Sequence, residues 1–130
     1  MESNWMDLSL EELEQVVWQE PDFADNLEQK IHALRKAPLS RFTVEDVRLM
    51  VHHGLSLPYT VPLAIDMLGR NLFAEGDYYP GDLLQSVLNI DPAFWYRNRP
   101  LWQSLHRLLL NREWELDERH ISTDLFMELS

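Results

Sequence analysis

The sequence predicts an all-α fold: one compact domain of about seven short helices spanning residues 1–130. Three observations carry this. Apolar residues recur every three to four positions through most of the chain. Good N-cap residues and helix-stopping Pro or Gly fall at the edges of those stretches. The one alternating segment, Leu55, Leu57, Tyr59 and Val61, contains Pro58 and has no second strand to pair with.

In chain order, "SLEELEQVV" comes first. Ser9 followed by Glu12 has the form of a capping box, and Leu10, Leu13, Val16 and Val17 fall on one helical face. Pro21 is placed to end it. "ADNLEQKIHALRKA" is the second helix, with Leu27, Ile31 and Leu34 as its stripe and Pro38 beyond its end. The third starts at Thr43, turns Val44, Val47, Met50 and Val51 inward, and stops at Gly54. "LSLPYTVP" is expected as an extended connector, with Pro62 in the first turn of a helix that buries Leu63, Ala64, Met67 and Leu68. Asp66 and Arg70 have the spacing of an outer ion pair. Leu83, Leu84, Val87 and Leu88 mark the next stripe. Asp91-Pro92 fits N-cap and N1 of a short aromatic helix with Phe94 and Trp95. "RPLWQSLHRLLLNREWEL" is the longest pattern, carrying Leu101, Trp102, Leu105, Leu108 and Leu109. Ser122 or Thr123 caps a last segment with Leu125, Phe126 and Leu129. No linker, repeat or low-complexity tract interrupts the series.

The formal net charge is −11, from 22 acids and 11 Lys and Arg. The bases are scattered from Lys30 to Arg119 without a stripe, which argues against direct nucleic-acid binding. On charge alone, a soluble acidic surface and a basic protein partner are equally open. There is no cysteine, so no disulfide, thiolate metal site or thiol nucleophile. No apolar run approaches the roughly 20 residues that span a bilayer. The acidic start "MESNWMDLSLEELEQ" lacks the features of a signal peptide, so the expectation is a cytoplasmic protein.

Catalytic patterns are lacking. The five histidines include no HExxH and no pair at i, i+4, and adjacent His52 and His53 point about 100° apart on a helix. There is no GxSxG and no phosphate-binding glycine loop, with only four glycines in the chain. The carboxylates are read as a solvated surface, including Glu11, Glu12 and Glu14 near a helix start, and Trp95, Tyr96 and Trp102 as core. No enzyme, cofactor or metal is expected.

"AEGDYYPGDLL", residues 74–84, is the exception to this plain helical pattern. Gly76 permits a positive φ to end one helix, and Pro80 and Gly81 sit where the next begins. Either Asp77 caps that helix or Asp82 lies in its first turn. Tyr78 and Tyr79 precede a proline and are expected extended, with at least one ring turned to the core. As a joint, the stretch needs Gly76, Tyr79, Pro80, Gly81, Leu83 and Leu84. As a contact surface, it offers Glu75, Asp77, Tyr78 and Asp82, since tyrosine suits interfaces.

The run from Pro62 to Trp95 resembles the immunity proteins of bacterial contact-dependent growth inhibition (CDI) systems. It matches their pattern at Gly76, Asp77, Tyr78, Tyr79, Pro80, Gly81, Asp82, Leu83 and Leu84, and again at Phe94 and Trp95. It departs at Leu72, where a proline is expected after Asn71. The upstream "FTVEDVRLMVHHGLSLPYTVP" is also similar, so the resemblance runs from Phe42 to Trp95. It implies a protein that binds the cognate C-terminal toxin domain in a stoichiometric complex and blocks its active site. Such toxins are often nucleases, and an RNase is favoured over a DNase. An acidic chain would stand in for the nucleic acid in a basic cleft. The resemblance implies a protein partner, with no nucleic acid, membrane or metal. The rival readings are an acidic adaptor or regulator with another protein partner, and a small hydrolase built on carboxylates and histidine.

Overall fold

The structure, a computed structural model, describes residues 4–19 and 25–130. A 3-10 turn at Trp5–Asp7 precedes α1 (Leu10–Glu14), α2 (Asn26–Lys36) and a second 3-10 turn at Leu39–Arg41. Then follow α3 (Val44–His52), α4 (Leu57–Arg70), α5 (Asp82–Leu88), α6 (Pro92–Arg97), α7 (Arg99–Leu109), α8 (Glu113–Glu118) and α9 (Asp124–Met127). Among the described residues there is no strand, only the isolated bridges Ser9–Pro38 and Glu75–Pro80. The all-α expectation holds, with nine α-helices among the described residues where about seven were expected.

Helix α3 is the centre of the packing, lying against α4 and α5, while α7 closes on the far side of α4. Val47 and Met50 on α3, Val61 and Ala64 on α4, and Leu83, Leu84, Val87 and Leu88 on α5 are all fully buried. Removing each larger aliphatic side chain from water contributes about 1.5–3 kcal/mol. Trp95, Trp102 and Phe126 join α6, α7 and α9: the Phe126 ring meets Trp95 edge-on at 5.2 Å and stacks on Trp102 at 5.1 Å. The Trp102 indole N–H donates to the Phe126 carbonyl at 2.9 Å.

Helix starts follow the expected chemistry. Ser9 and Glu12 form a capping box on α1, and Thr43 and Asp46 form another on α3. Asp91 accepts from the Ala93 N–H, with Pro92 in the first turn of α6. Asp66 and Arg70 pair at 2.5 Å. Gly54 ends α3 with φ of +67°.

Five local expectations are corrected. Helix α1 stops at Gln15, which is left-handed, so Val16 and Val17 are exposed instead of continuing a buried stripe. Buried Arg35 explains this: it donates to the Val16 carbonyl at 2.9 Å and lies over the Trp18 ring at 4.4 Å. The carbonyl is satisfied by a cation from α2, so the helix need not continue. Leu27, expected in the α2 stripe, is also exposed, whereas Ile31 and Leu34 are buried. Pro21 and Ala24 lie outside the described residues.

The expected connector at Leu55–Pro62 is instead mostly helix. Pro58 sits in the first turn of α4, where a missing N–H costs nothing, and Pro62 lies inside it. The bond Pro62 forgoes would have gone to the Pro58 carbonyl, still near the helix start. The buried Thr60 hydroxyl donates to the Leu55 and Ser56 carbonyls, both at 3.2 Å, and ties the entry down. At the other end, the long pattern after Arg99 is two helices. Asn111, with φ of +64°, turns the chain between α7 and α8. Lastly, Tyr96 is exposed, unlike Trp95 and Trp102.

Candidate functional site

The unusual stretch forms a loop between α4 and α5 whose backbone is held by two carboxylates from outside its tip. Asp82, in the first turn of α5, is 3% exposed and turns back toward the loop. Its Oδ1 accepts the Gly76 N–H at 2.7 Å, and its Oδ2 accepts the N–H of Tyr78 at 3.0 Å and of Tyr79 at 3.4 Å. Glu45, at the start of α3, accepts the intervening Asp77 N–H at 2.9 Å. Four consecutive backbone donors are thus satisfied, and the next residue, Pro80, has none to satisfy. The Gly81 N–H returns to the Phe73 carbonyl at 3.1 Å and closes the loop.

Glu45 is itself fixed by Arg48, one turn along α3, through two bonds of 2.7 Å. This fork holds the Glu45 carboxyl below the usual carboxylate range, aided by the Asp77 N–H and opposed by burial. Arg48 is raised in turn, chiefly by the same bond to Glu45. Its guanidinium also lies 4.6 Å from the centre of the Tyr78 ring. A paired and stacked arginine in this geometry is a planar brace for the loop.

The glycines act differently from expectation. Gly76 does not have a positive φ. Its role is close approach: a Cβ there would stand 2.5 Å from Glu45 Oε1 and 3.0 Å from Asp82 Oδ2. The positive φ belongs to Gly81, at +96°, which is the residue preceding α5. Of the two acids considered for that helix start, Asp82 lies in its first turn and Asp77 does not cap it.

The sequence-proposed contact residues divide between two sides. Glu75, Asp77 and Tyr78 are exposed, Tyr78 at 69%. Asp82 is buried behind them, so its carboxylate faces backbone rather than solvent. Tyr79 is 44% exposed, so neither ring enters the core; the Asp82 bonds replace ring burial as the anchor. Leu83 and Leu84 are fully buried, Gly81 is buried and Pro80 is exposed. Sequence reading missed Glu45 and Arg48, which lie more than 25 positions upstream. Their only signal was an acid–base pair three residues apart on a helix.

Among the described residues, no three His, Asp or Glu side chains are placed to hold a metal ion. No helix among them is long and apolar enough to cross a membrane. No curated protein and no solved structure matches the chain significantly. A family model described as CDI immunity proteins matches residues 12–105, which include α2 to α6, the loop and both of its carboxylate anchors. With the match covering well over half of its length, this all-α chain belongs to the family of CDI immunity proteins.

Proposed function

We propose that the chain neutralises a cognate C-terminal toxin domain, a nuclease and more specifically an RNase, by a one-to-one complex that covers its active site. The action is stoichiometric binding without turnover, in the cytoplasm of the producing cell. Glu75, Asp77 and Tyr78 form part of the contact, with Tyr79 beside them and Asp82 holding their backbone from behind. The observation that supports this best is the loop itself. It presents two acids and two tyrosines outward on a backbone whose donors are already satisfied. Binding then costs little ordering, which is how a small surface reaches high affinity. The net charge of −11 complements a basic nucleic-acid cleft and would speed encounter.

Co-expression with the toxin domain, followed by titration of the purified pair, tests this reading. Restored growth and a nanomolar complex, whose association slows as salt rises, are expected. A combined Glu75→Lys, Asp77→Lys and Tyr78→Ala variant should lose affinity while melting within a few degrees of the wild type, the small drop reflecting the lost Arg48–Tyr78 contact. Neither rescue nor complex would overturn the toxin reading and leave an acidic adaptor for another protein. A complex that ignores the triple variant would move the contact off the loop.

A further inference from the structure

Helix α8 carries a further exposed aromatic residue, one that does not pack against the core. Trp114 is 67% exposed, and the helix is anchored instead by buried Leu116. Glu118 follows Trp114 by one helical turn, so both lie on one side of α8. With Glu115 and Arg119 they line an open cavity of about 310 Å³. The other charges of this cavity are already engaged. Arg112 grips Glu115 through Nε and Nη2. The Arg119 guanidinium lies over the Phe73 ring at 4.4 Å. Among the described residues, no cation is within ion-pair reach of Glu118.

We propose that Trp114 and Glu118 form a receptor for a single cationic side chain, an arginine or lysine, projecting from the toxin domain. The proposal rests on the toxin-binding reading above. An exposed indole face beside an unpaired carboxylate is the pairing that attracts a cation, by ring quadrupole and by charge. The segment around it is acidic: residues 106–130 hold six Asp and Glu against three arginines. The receptor also sits next to the loop. Arg112 and Arg119, at the two ends of α8, both lie over Phe73, at 5.6 and 4.4 Å. Ile121 reaches so close to Gly81 that a Cβ there would stand 2.6 Å from its Cδ1. One partner can therefore touch loop and helix together. The family match ends at residue 105, so the receptor lies in a part of the chain that the shared pattern does not specify. That is where a residue deciding between toxins is expected.

The test is titration of the purified toxin domain with wild type, Trp114→Ala, Trp114→Phe and Glu118→Gln. Trp114→Ala should weaken binding about tenfold or more, Trp114→Phe and Glu118→Gln by about three- to tenfold, all with melting temperatures near wild type. An arginine or lysine of the toxin should exist whose replacement by alanine weakens binding to the wild type and leaves binding to Trp114→Ala unchanged. If the wild type binds and the variants bind equally well, the receptor is refuted and the toxin reading stands. If Trp114→Ala melts early, Trp114 is a packing residue and the receptor is likewise refuted. If the wild type does not bind, the toxin reading fails and the receptor with it.

Discussion

Replacing Asp82 by alanine removes the acceptor for three backbone N–H groups at once, those of Gly76, Tyr78 and Tyr79. A hydrogen bond to a charged group contributes about 1.5–3 kcal/mol net. The donors at Tyr78 and Tyr79 belong to exposed residues and can regain water, so much of their loss is recovered. The Gly76 donor is half-buried, and the carboxylate also favours the first turn of α5. The expected net loss is about 3 kcal/mol. Melting entropy of about 2.1 cal/mol/K per residue gives ~0.27 kcal/mol/K for 130 residues. The melting temperature should therefore fall by about 10 °C in calorimetry at neutral pH. Asp82→Asn retains one acceptor oxygen and should lose roughly half as much. A fall of under about 2 °C for the alanine variant would refute the idea that this carboxylate organises the loop.

Gly76→Ala should cost about 1–3 kcal/mol in chemical denaturation, because the added methyl meets a Glu45 carboxylate that Arg48 holds in place. Gly81→Ala should cost about 1 kcal/mol through its positive φ, with little further penalty, because the crowding atom is the end of the flexible Ile121 side chain. Arg35→Ala should lose about 3 kcal/mol and open residues 15–19 to limited proteolysis, since Glu14, the Val16 carbonyl and the Trp18 ring all depend on it. Glu45 has its folded-state pKa lowered, so it adds stability above the ordinary carboxylate pKa and loses it as pH falls through the lowered value. The stability gap between wild type and Glu45→Gln should accordingly narrow as melting is repeated at pH below the usual carboxylate range.

The helical framework was legible because its signals are local. Capping at Ser9, Thr43 and Asp91, and the stripes of α3 and α5, depend on residues within a few positions of each other. What escaped depended on distant partners. Nothing near Val16 announces that Arg35 on α2 will take its carbonyl and end α1. The alternation around Pro58 reads locally as an extended connector with the helix beginning at Pro62, yet Pro58 sits at the helix start and Pro62 gives up one bond early in α4. The loop followed the same rule. Its position, its glycines and Asp82 were visible as a motif, and membership in the family followed from it. Glu45 and Arg48 were not, because a carboxylate reaching 32 residues along the chain to the Asp77 N–H leaves no periodic trace. At least one tyrosine ring is expected inward on the habit of aromatic rings, whereas polar anchoring of their backbone leaves both outside.

The caged loop bears on how such a protein changes over generations. Its shape is set by backbone amides meeting Glu45 and Asp82, with Gly76 and Gly81 at the two points where a side chain would intrude. Whereas the Tyr78 ring lies against Arg48, the side chains at positions 75, 77 and 79 take almost no part in that shape. Substitutions there can redraw the outward chemistry without unfolding the platform beneath. If the loop is the toxin contact proposed above, a lineage pressed by a new toxin can explore positions 75, 77 and 79 while holding two acids, two glycines and the Arg48–Tyr78 stack constant.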